Sequence, residues 1–181
     1  MIRSFIKIFV QTHFKLSSAK RVEKQTRRLL KEYLRLAQGL DEISGSEPIT
    51  VPPMFGIDED MRGWTFFMIL RHNTIVNNAI SANIRRLALG KSAPAKKFDH
   101  KHDVMPAEDC GIEQIAIFKA SVLSHLESIR PLGELRGTKT KDHPRFGSFD
   151  AHKWNCMFAF HLKVHLRQAM FVREKALTTS S

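Results

Sequence analysis

Apolar residues recur every three or four positions along four long segments of the chain, and no segment reads convincingly as a strand. The first segment, residues 18–40, places Val22, Leu29 and Tyr33 on one face of a helix. The stretch 45–53, rich in glycine and proline, predicts a loop after it. The pattern therefore predicts an all-α protein.

The second segment is predicted to begin at Asp58, a residue type favoured as an N-cap, and to end just before Gly90. Its apolar stripe includes a histidine, since the positions that share one face are Trp64, Met68, His72, Ile75 and Ala79. We therefore expect His72 to be buried.

The third segment is predicted to start near Ala107 and to stop at Pro131. Its apolar positions are Ile112, Ile115, Val122, Leu126 and Ile129, which we expect to form its buried face.

The fourth segment follows Asp150 as N-cap, with Phe149 and Trp154 in the two positions of a hydrophobic staple. It is predicted to run to about Glu174, with residues 177–181 fraying.

Four amphipathic helices of this length predict a four-helix bundle, here over residues 18–176. The connections 43–57, 91–105 and 132–149 are long for a minimal bundle, and long structured loops often shape a pocket. Residues 1–17 form a basic amphipathic segment, and a short helix within it would align Ile2, Ile6, Phe9 and His13 on one side. Packing of this helix on the bundle is favoured over binding at a membrane surface.

Composition indicates the class of protein and its cellular compartment. The chain has 181 residues and is 43% hydrophobic, which is enough to bury a core. Its cysteines, Cys110 and Cys156, form no CxxC pair, so a disulfide scaffold and a zinc ribbon are disfavoured. No apolar run approaches the roughly 20 residues that span a bilayer, and the basic start lacks a secretory cleavage site. These features indicate a cytoplasmic protein without a transmembrane segment.

The formal net charge of +11 raises the question of an anionic partner. Lysine and arginine crowd residues 15–35, 85–101 and 130–145, where the aromatic residues expected of a nucleic-acid surface are missing. The charge therefore indicates a solvated surface more than a nucleic-acid partner.

Histidines on apolar stripes supply the candidate chemistry. In the fourth segment one face carries Trp154, Phe158, His161, His165, Gln168 and Val172. A pair spaced by four is expected by chance among nine histidines, but burying imidazoles unpaired costs about 1–3 kcal/mol each. If the second helix starts at Asp58, His72 lies about 14 residues into it and His161 about 11 into its own, so both fall near mid-bundle. Periodicity alone leaves two interpretations open, a metal site and a hydrogen-bonded core cluster.

Two stretches of the chain resemble one known family. The sequence HPRFGSFDAHKWNCMFAFHLKVHLRQ, residues 143–168, is similar to the last loop and last helix of the DinB-like superfamily, which read HPxFG, a Trp, then HxxxHxxQ. The sequence WTFFMILRHNTIVNNAI, residues 64–80, resembles the second helix of that family. The resemblance spans residues 20–174, and the first and third helices match in pattern only.

The resemblance implies an up-down-down-up four-helix bundle, often a homodimer, with a divalent metal held by three histidines. His72, His161 and His165 fall on the ligand positions. Three imidazoles with open positions suit zinc or nickel, with iron or manganese as alternatives. Gln168, one turn beyond His165, is either a group that orients a ligand or substrate or a satisfied core amide.

The other candidate residues have weaker support. Tyr33 could direct its hydroxyl to the site, although simple packing is the safer interpretation. The HPRFG turn is interpreted as structural, through His143, Phe146 and Gly147. His100 and His102 flank Lys101 in a loop, where solvent exposure is favoured over a place in a pocket.

Three remaining residues are predicted to lie outside the site. His125 and His152 sit on helices without supporting neighbours in the sequence. Cys156 lies about 140° around the helix from His161, which disfavours it as a fourth ligand.

Three hypotheses of function follow. The first is a metal-dependent enzyme of the thiol S-transferase or hydrolase type, acting on a small molecule, with a low-molecular-weight thiol as a potential cosubstrate. The second is a metal-binding or stress-response protein without catalysis. The third is a basic module that binds nucleic acid or a membrane surface. A general base is not identified, so the sequence assigns no catalytic residue.

Overall fold

A computed structural model describes residues 2–91 and 102–179 of the chain. Most of these residues are helical, as predicted. The α-helices are α1 (Ile2–Leu16), α2 (Ala19–Ala37), α3 (Glu42–Gly45), α4 (Phe66–Ala88), α5 (Glu113–Ile129) and α6 (Ala151–Thr179). Two short 3₁₀ helices, Glu59–Met61 and Arg130–Leu132, and a hairpin of β1 (Lys141–His143) and β2 (Gly147–Phe149) complete the elements.

Side-chain caps mark where α2 and α6 begin. Ser18 accepts a hydrogen bond from the backbone N–H of Arg21 at the start of α2. Asp150 accepts one from Lys153 at 2.9 Å and so caps α6, as predicted. The expected staple beside this cap is also present, since the buried rings of Phe149 and Trp154 lie 5.5 Å apart between centroids.

The predicted start of α4 is wrong. Thr65 is its N-cap, accepting from the backbone N–H of Met68 at 3.1 Å, so the helix begins at Phe66. Asp58 instead precedes the 3₁₀ helix and makes no side-chain cap. Trp64 fits the helical spacing of apolar residues although it lies in the loop before α4, because its side chain is also buried in the core.

The core lies where the long helices meet. α4 packs against α5 and α6, and α2 packs against the same two helices. The predicted apolar stripe of α2 is confirmed, because Val22, Leu29 and Tyr33 are all buried. Burial of such side chains contributes roughly 1.5–3 kcal/mol each.

The buried face of α4 differs from the predicted one. Met68, Ile75 and Ala79 are half-buried, although His72 is buried as expected. The face of α4 that is fully buried also carries polar residues, which pair with residues of other helices. A pattern of apolar positions could not identify it for that reason. Its residues are Phe66, Ile69, Asn73, Asn77, Ile80, Ser81 and Ile84.

The third and fourth predicted helices need smaller corrections. α5 starts at Glu113, not near Ala107, and Ile112 just before it is 46% exposed. Val122 and Leu126 are buried as predicted. α6 continues through residues 177–179, where fraying was expected, because Ala176 is still packed against the interior.

The hairpin is a further departure from the predicted fold, since no strand was predicted. β1 and β2 pair antiparallel, with His143 opposite Gly147. Gly147 has φ +81°, a conformation that favours glycine. Strands of three residues are too short for alternation to identify.

α1 forms the expected extra helix and packs on α6, but through a different face. Val10 and Phe14 are its buried residues. Phe9, predicted with Ile6 on the packed side, is 69% exposed and stacks on the exposed ring of His13. Across residues 2–91 and 102–179 there is no helix with the length and apolar character to cross a bilayer.

Candidate metal centre

Three imidazoles from two helices meet inside the protein. His72 lies in the second turn of α4, while His161 and His165 lie on successive turns of α6. The centroid distances are 5.1 Å for His72–His161, 4.5 Å for His72–His165 and 4.6 Å for His161–His165. One nitrogen from each ring lies within 4.8 Å of the other two. The three histidines picked out by stripe and resemblance are thus brought together.

The ring of His72 is oriented by the backbone. Its Nδ1 lies 2.8 Å from the carbonyl oxygen of Val104, in the segment between α4 and α5. A carbonyl oxygen only accepts, so Nδ1 carries the proton and donates. The neutral ring then presents the lone pair of Nε2 to the other two histidines. Such a hydrogen bond fixes the tautomer of a metal-binding imidazole.

Gln168 does the same for His165. Its Nε2 donates to the backbone oxygen of Met61 at 2.6 Å, which leaves its Oε1 facing His165 Nδ1 at 2.9 Å. Nδ1 of His165 is therefore protonated, and its Nε2 lone pair is free for a ligand. Gln168 is fully buried, and it is both a satisfied core amide and a group that orients His165.

His161 is the incompletely satisfied member of the group. Its Nε2 lies 3.2 Å from Nε2 of His72, whose proton is on the opposite nitrogen. Its own Nδ1 is buried and has no hydrogen-bond partner among the described residues. A hydrogen-bonded polar cluster in a protein core normally gives every buried polar atom a partner. The hydrogen bonds between these rings do not do so, because Nδ1 of His161 has no partner among the described residues.

Burial keeps all three rings neutral. It lowers the pKa of His72 to about 4 and that of His165 to about 3. Burial is also the main cause that holds the pKa of His161 well below its ordinary value, and His165, His72 and His143 lower it further. Neutral imidazole is the form that binds a metal ion.

The surroundings of the cluster are apolar on one side and partly exposed on another. The buried indole of Trp64 lies 4.9 Å from His72 and 6.4 Å from His165, between ring centroids. His72 and His165 are each 2% exposed, whereas His161 is only half-buried. The exposed part of the cluster therefore belongs to His161.

The donor set fits a divalent transition metal. Two nitrogens bound to one tetrahedral zinc ion at 2.0–2.1 Å lie about 3.3 Å apart, and the Nε2 atoms of His72 and His161 are 3.2 Å apart. Neutral imidazoles suit zinc, nickel, copper or iron, and do not suit calcium or magnesium, which prefer oxygen ligands.

Tyr33 connects the two helices that carry the ligands. Its buried hydroxyl donates to the carbonyl oxygen of Leu162, next to His161, at 2.9 Å. It also accepts from the side-chain amide of Asn73, next to His72, at 3.2 Å. Tyr33 thus ties α4 to α6 beside the cluster through groups adjacent to the ligands.

The HPRFG turn lies near the site. His143 Nδ1 accepts from the backbone N–H of Arg145 at 3.1 Å, which closes the turn of the hairpin. Its ring stacks on Phe146 at 4.8 Å and lies 5.5 Å from Trp154. These contacts anchor the hairpin to the start of α6.

Two histidines predicted to lack neighbours have them. His125 is 1% exposed, lies between Ser81 and Asn155 at hydrogen-bond distance, and stacks on Phe158. His152 lies 3.1 Å from the carbonyl oxygen of Phe14. All of these partners stand 30 or more residues away in the chain, so local sequence gave no sign of them.

Two further predictions concern residues away from the cluster. Cys156 Sγ contacts the oxygen of Phe14 and His152 Nε2, at the junction with α1. His102 is exposed, as expected, and His100 lies outside the described residues.

Sequence reasoning missed the contributions of Val104 and Met61. Both act through backbone carbonyl oxygens, which no residue type signals. Trp64 was recognised, but as a helical residue and not as a loop side chain that covers two of the imidazoles.

Comparisons with known proteins give no further guidance. The chain matches no family model, no curated protein and no solved structure.

Proposed function

We propose that the chain binds one divalent metal ion through His72, His161 and His165, and that it is a metal-dependent enzyme acting on a small molecule. The observation that carries the proposal is the pair of Nδ1 hydrogen bonds, to Val104 and to Gln168. They fix two protons away from the cluster and aim two lone pairs into it. Structural packing alone has no need for lone pairs to converge.

Zinc or nickel is the proposed metal, with iron or manganese as alternatives, and such an ion lowers the pKa of a bound water or thiol. The chain's own residues prepare the site for that chemistry. Val104 and Gln168 hold the imidazoles in one tautomer, and Trp64 keeps water from one side. The half-buried edge of His161 leaves an approach for a substrate.

An enzyme is favoured over a closed structural metal site because the cluster has fewer than four protein ligands. Within residues 2–91 and 102–179 it comprises three ligating side chains, and structural zinc sites have four protein ligands. Three histidines with an open position are typical of catalytic zinc.

The reaction class rests on the resemblance of residues 64–80 and 143–168 to the DinB-like superfamily. It favours transfer to or from a low-molecular-weight thiol, or hydrolysis. On the same resemblance we propose an up-down-down-up four-helix bundle, assembly as a homodimer and a cytoplasmic location. The net charge of +11 favours an anionic thiol or carboxylate as substrate.

Elemental analysis tests metal binding directly. The wild type should carry about one metal ion per chain after purification, and His72→Ala, His161→Ala and His165→Ala should each lose most of it, because two imidazoles bind far more weakly than three. His125→Gln is the matched control: it also removes a buried histidine, but outside the cluster. Full metal content in any of the three alanine variants would overturn the shared site.

Catalysis requires a second test. Metal-loaded protein should convert members of a panel of thiol-acceptor, ester and amide substrates, and chelation should abolish the conversion. Metal bound at full occupancy with no conversion would favour the alternative of a non-catalytic metal-binding or stress-response protein. A His100→Ala variant adds to this test, because loss of metal there would reveal a fourth protein ligand and a closed site.

A further inference from the structure

α1 presents apolar side chains on two opposite faces. One face, with Val10 and Phe14, is buried against α6 and the hairpin. The other carries four large apolar residues that face solvent: Phe5 (72% exposed), Ile8 (63%), Phe9 (69%) and Leu16 (78%). At 100° per residue these four fall within an arc of about 100°. We call them the apolar arc.

An exposed set of this kind calls for a partner. Single exposed apolar residues are ordinary on a protein surface, but Phe5, Ile8 and Phe9 lie on adjacent turns, and a contiguous group indicates an interaction site. Packing on the bundle does not account for the arc, since that packing uses the opposite side of α1.

A row of cations follows directly along the chain. Leu16 at the end of α1 and Lys20 in the first turn of α2 are both exposed and separated by the short link at residues 17–18. The exposed face of α2 contains five cations that form no ion pair among the described residues: Lys20, Arg21, Lys24, Arg28 and Lys31. Glu23 and Glu32 are already paired, with Arg27 and Arg35.

We propose that the apolar arc of α1 and the cationic face of α2 form a docking surface for an anionic lipid bilayer. In this arrangement α1 lies in the interface plane, with Phe5 and Phe9 inserted among the acyl chains. The cations of α2, four of which line one shallow depression with Glu23 and Arg27, bind lipid phosphates. Apolar insertion combined with several basic residues is what stable reversible anchoring requires.

The charge pattern favours a bilayer over other occupants. A second copy docked on this surface through the same residues would set the five α2 cations of one chain beside those of the other. A nucleic acid would use the cations but leave the phenylalanines and Leu16 in water, and the cationic face of α2 has no exposed aromatic residue for base stacking. An anionic bilayer satisfies both parts of the surface.

Cosedimentation with vesicles tests the proposal. Wild-type protein should bind vesicles of roughly one part phosphatidylserine to two parts phosphatidylcholine at low salt, and should bind pure phosphatidylcholine far less. The double variant Phe5→Ser/Phe9→Ser should lose at least about tenfold in binding, since it removes inserted apolar area. Lys20→Glu/Lys24→Glu should lose about 30-fold or more, because each basic residue near an anionic surface contributes about a factor of five.

The matched control is Ile43→Ser/Leu89→Ser, which removes similar exposed apolar residues away from α1 (82% and 62% exposed) and should bind like wild type. Circular dichroism checks that all variants fold, as expected for exposed positions. Chelated protein should bind equally well, so the result is independent of the metal site.

Three results would overturn the proposal. The first is failure of the wild type to bind anionic vesicles at low salt, including the case in which it binds an oligonucleotide instead. The second is unchanged vesicle binding by Phe5→Ser/Phe9→Ser. The third is a wild-type dimer that this variant converts to monomer, which would assign the arc to a second copy of the chain.

Discussion

Replacing Gln168 by methionine should weaken metal binding more than any other change that leaves the three histidines in place. Gln168 accepts from His165 Nδ1 at 2.9 Å and donates to the Met61 oxygen at 2.6 Å, and it is fully buried. Methionine fills similar volume without a strong donor or acceptor. The substitution therefore leaves Nδ1 of the buried His165 and the partly buried oxygen of Met61 without these partners.

The expected magnitudes follow from those two bonds. The orphaned, buried Nδ1 costs about 1–3 kcal/mol and the partly buried oxygen less, so the metal-free variant should be about 1–4 kcal/mol less stable than wild type. His165 also loses the acceptor that fixes its tautomer and ring orientation. Loss of such a partner typically weakens metal binding 10–100-fold, or about 1.4–2.8 kcal/mol.

Two assays separate these effects. Urea unfolding of chelated protein measures stability, and zinc competition against a chromophoric chelator measures affinity. Gln168→Glu is an informative second variant, because it keeps an acceptor for His165 but sets a carboxylate oxygen against the Met61 oxygen. It should lose stability while retaining more of the affinity than Gln168→Met does.

The control is Gln114→Met, which replaces a second buried glutamine, on α5, whose Oε1 has no hydrogen-bond partner within residues 2–91 and 102–179. It should leave zinc affinity unchanged. An affinity for Gln168→Met equal to that of wild type would refute the argument that the hydrogen bond to Gln168 aims His165 at a metal.

Two further predictions concern the fold. Gly45→Ala should destabilise the protein by about 1–3 kcal/mol, because the new Cβ would overlap the ring of the fully buried Phe67. Thermal unfolding measures this loss, and an unchanged midpoint would contradict the close packing of Gly45 on Phe67. Metal-free protein should lose stability as the pH falls from 6.5 toward 4. Burial lowers the pKa of His125 to about 4, so between these values the unfolded chain binds a proton that the folded chain does not, at a cost on the order of 3 kcal/mol. Urea unfolding should show a flatter profile in His125→Gln, and identical profiles would exclude His125 as a source of the pH dependence.

The sequence was most informative about α6. Its stripe from Trp154 to Val172 is buried apart from the half-buried His161, and the Asp150 cap and the Phe149–Trp154 staple are in place. All of these signals are local, involving residues within a few positions of one another, and local spacing on a helix directly sets which side chains share a face.

The sequence was least informative where partners come from distant elements. The start of α4 was misplaced because Trp64, in a loop, continued the helical spacing. The mid-bundle argument used that start, so its premise was wrong: His72 lies in the second turn of α4, near the helix end. The cluster still forms, because it depends on how α4 and α6 pack rather than on equal depth in both helices.

The backbone acceptor at Val104 has a consequence for how this site tolerates change. Because the bond to His72 uses a carbonyl oxygen, residue 104 can change identity without losing it, whereas insertion or deletion of one residue in that segment would shift the oxygen away. Relatives of this chain that retain the site should therefore vary among apolar residue types at this position, since the Val104 side chain is buried, but keep its spacing to α5. A search that weighs gaps in this segment would find them more readily than one that relies on residue identity there.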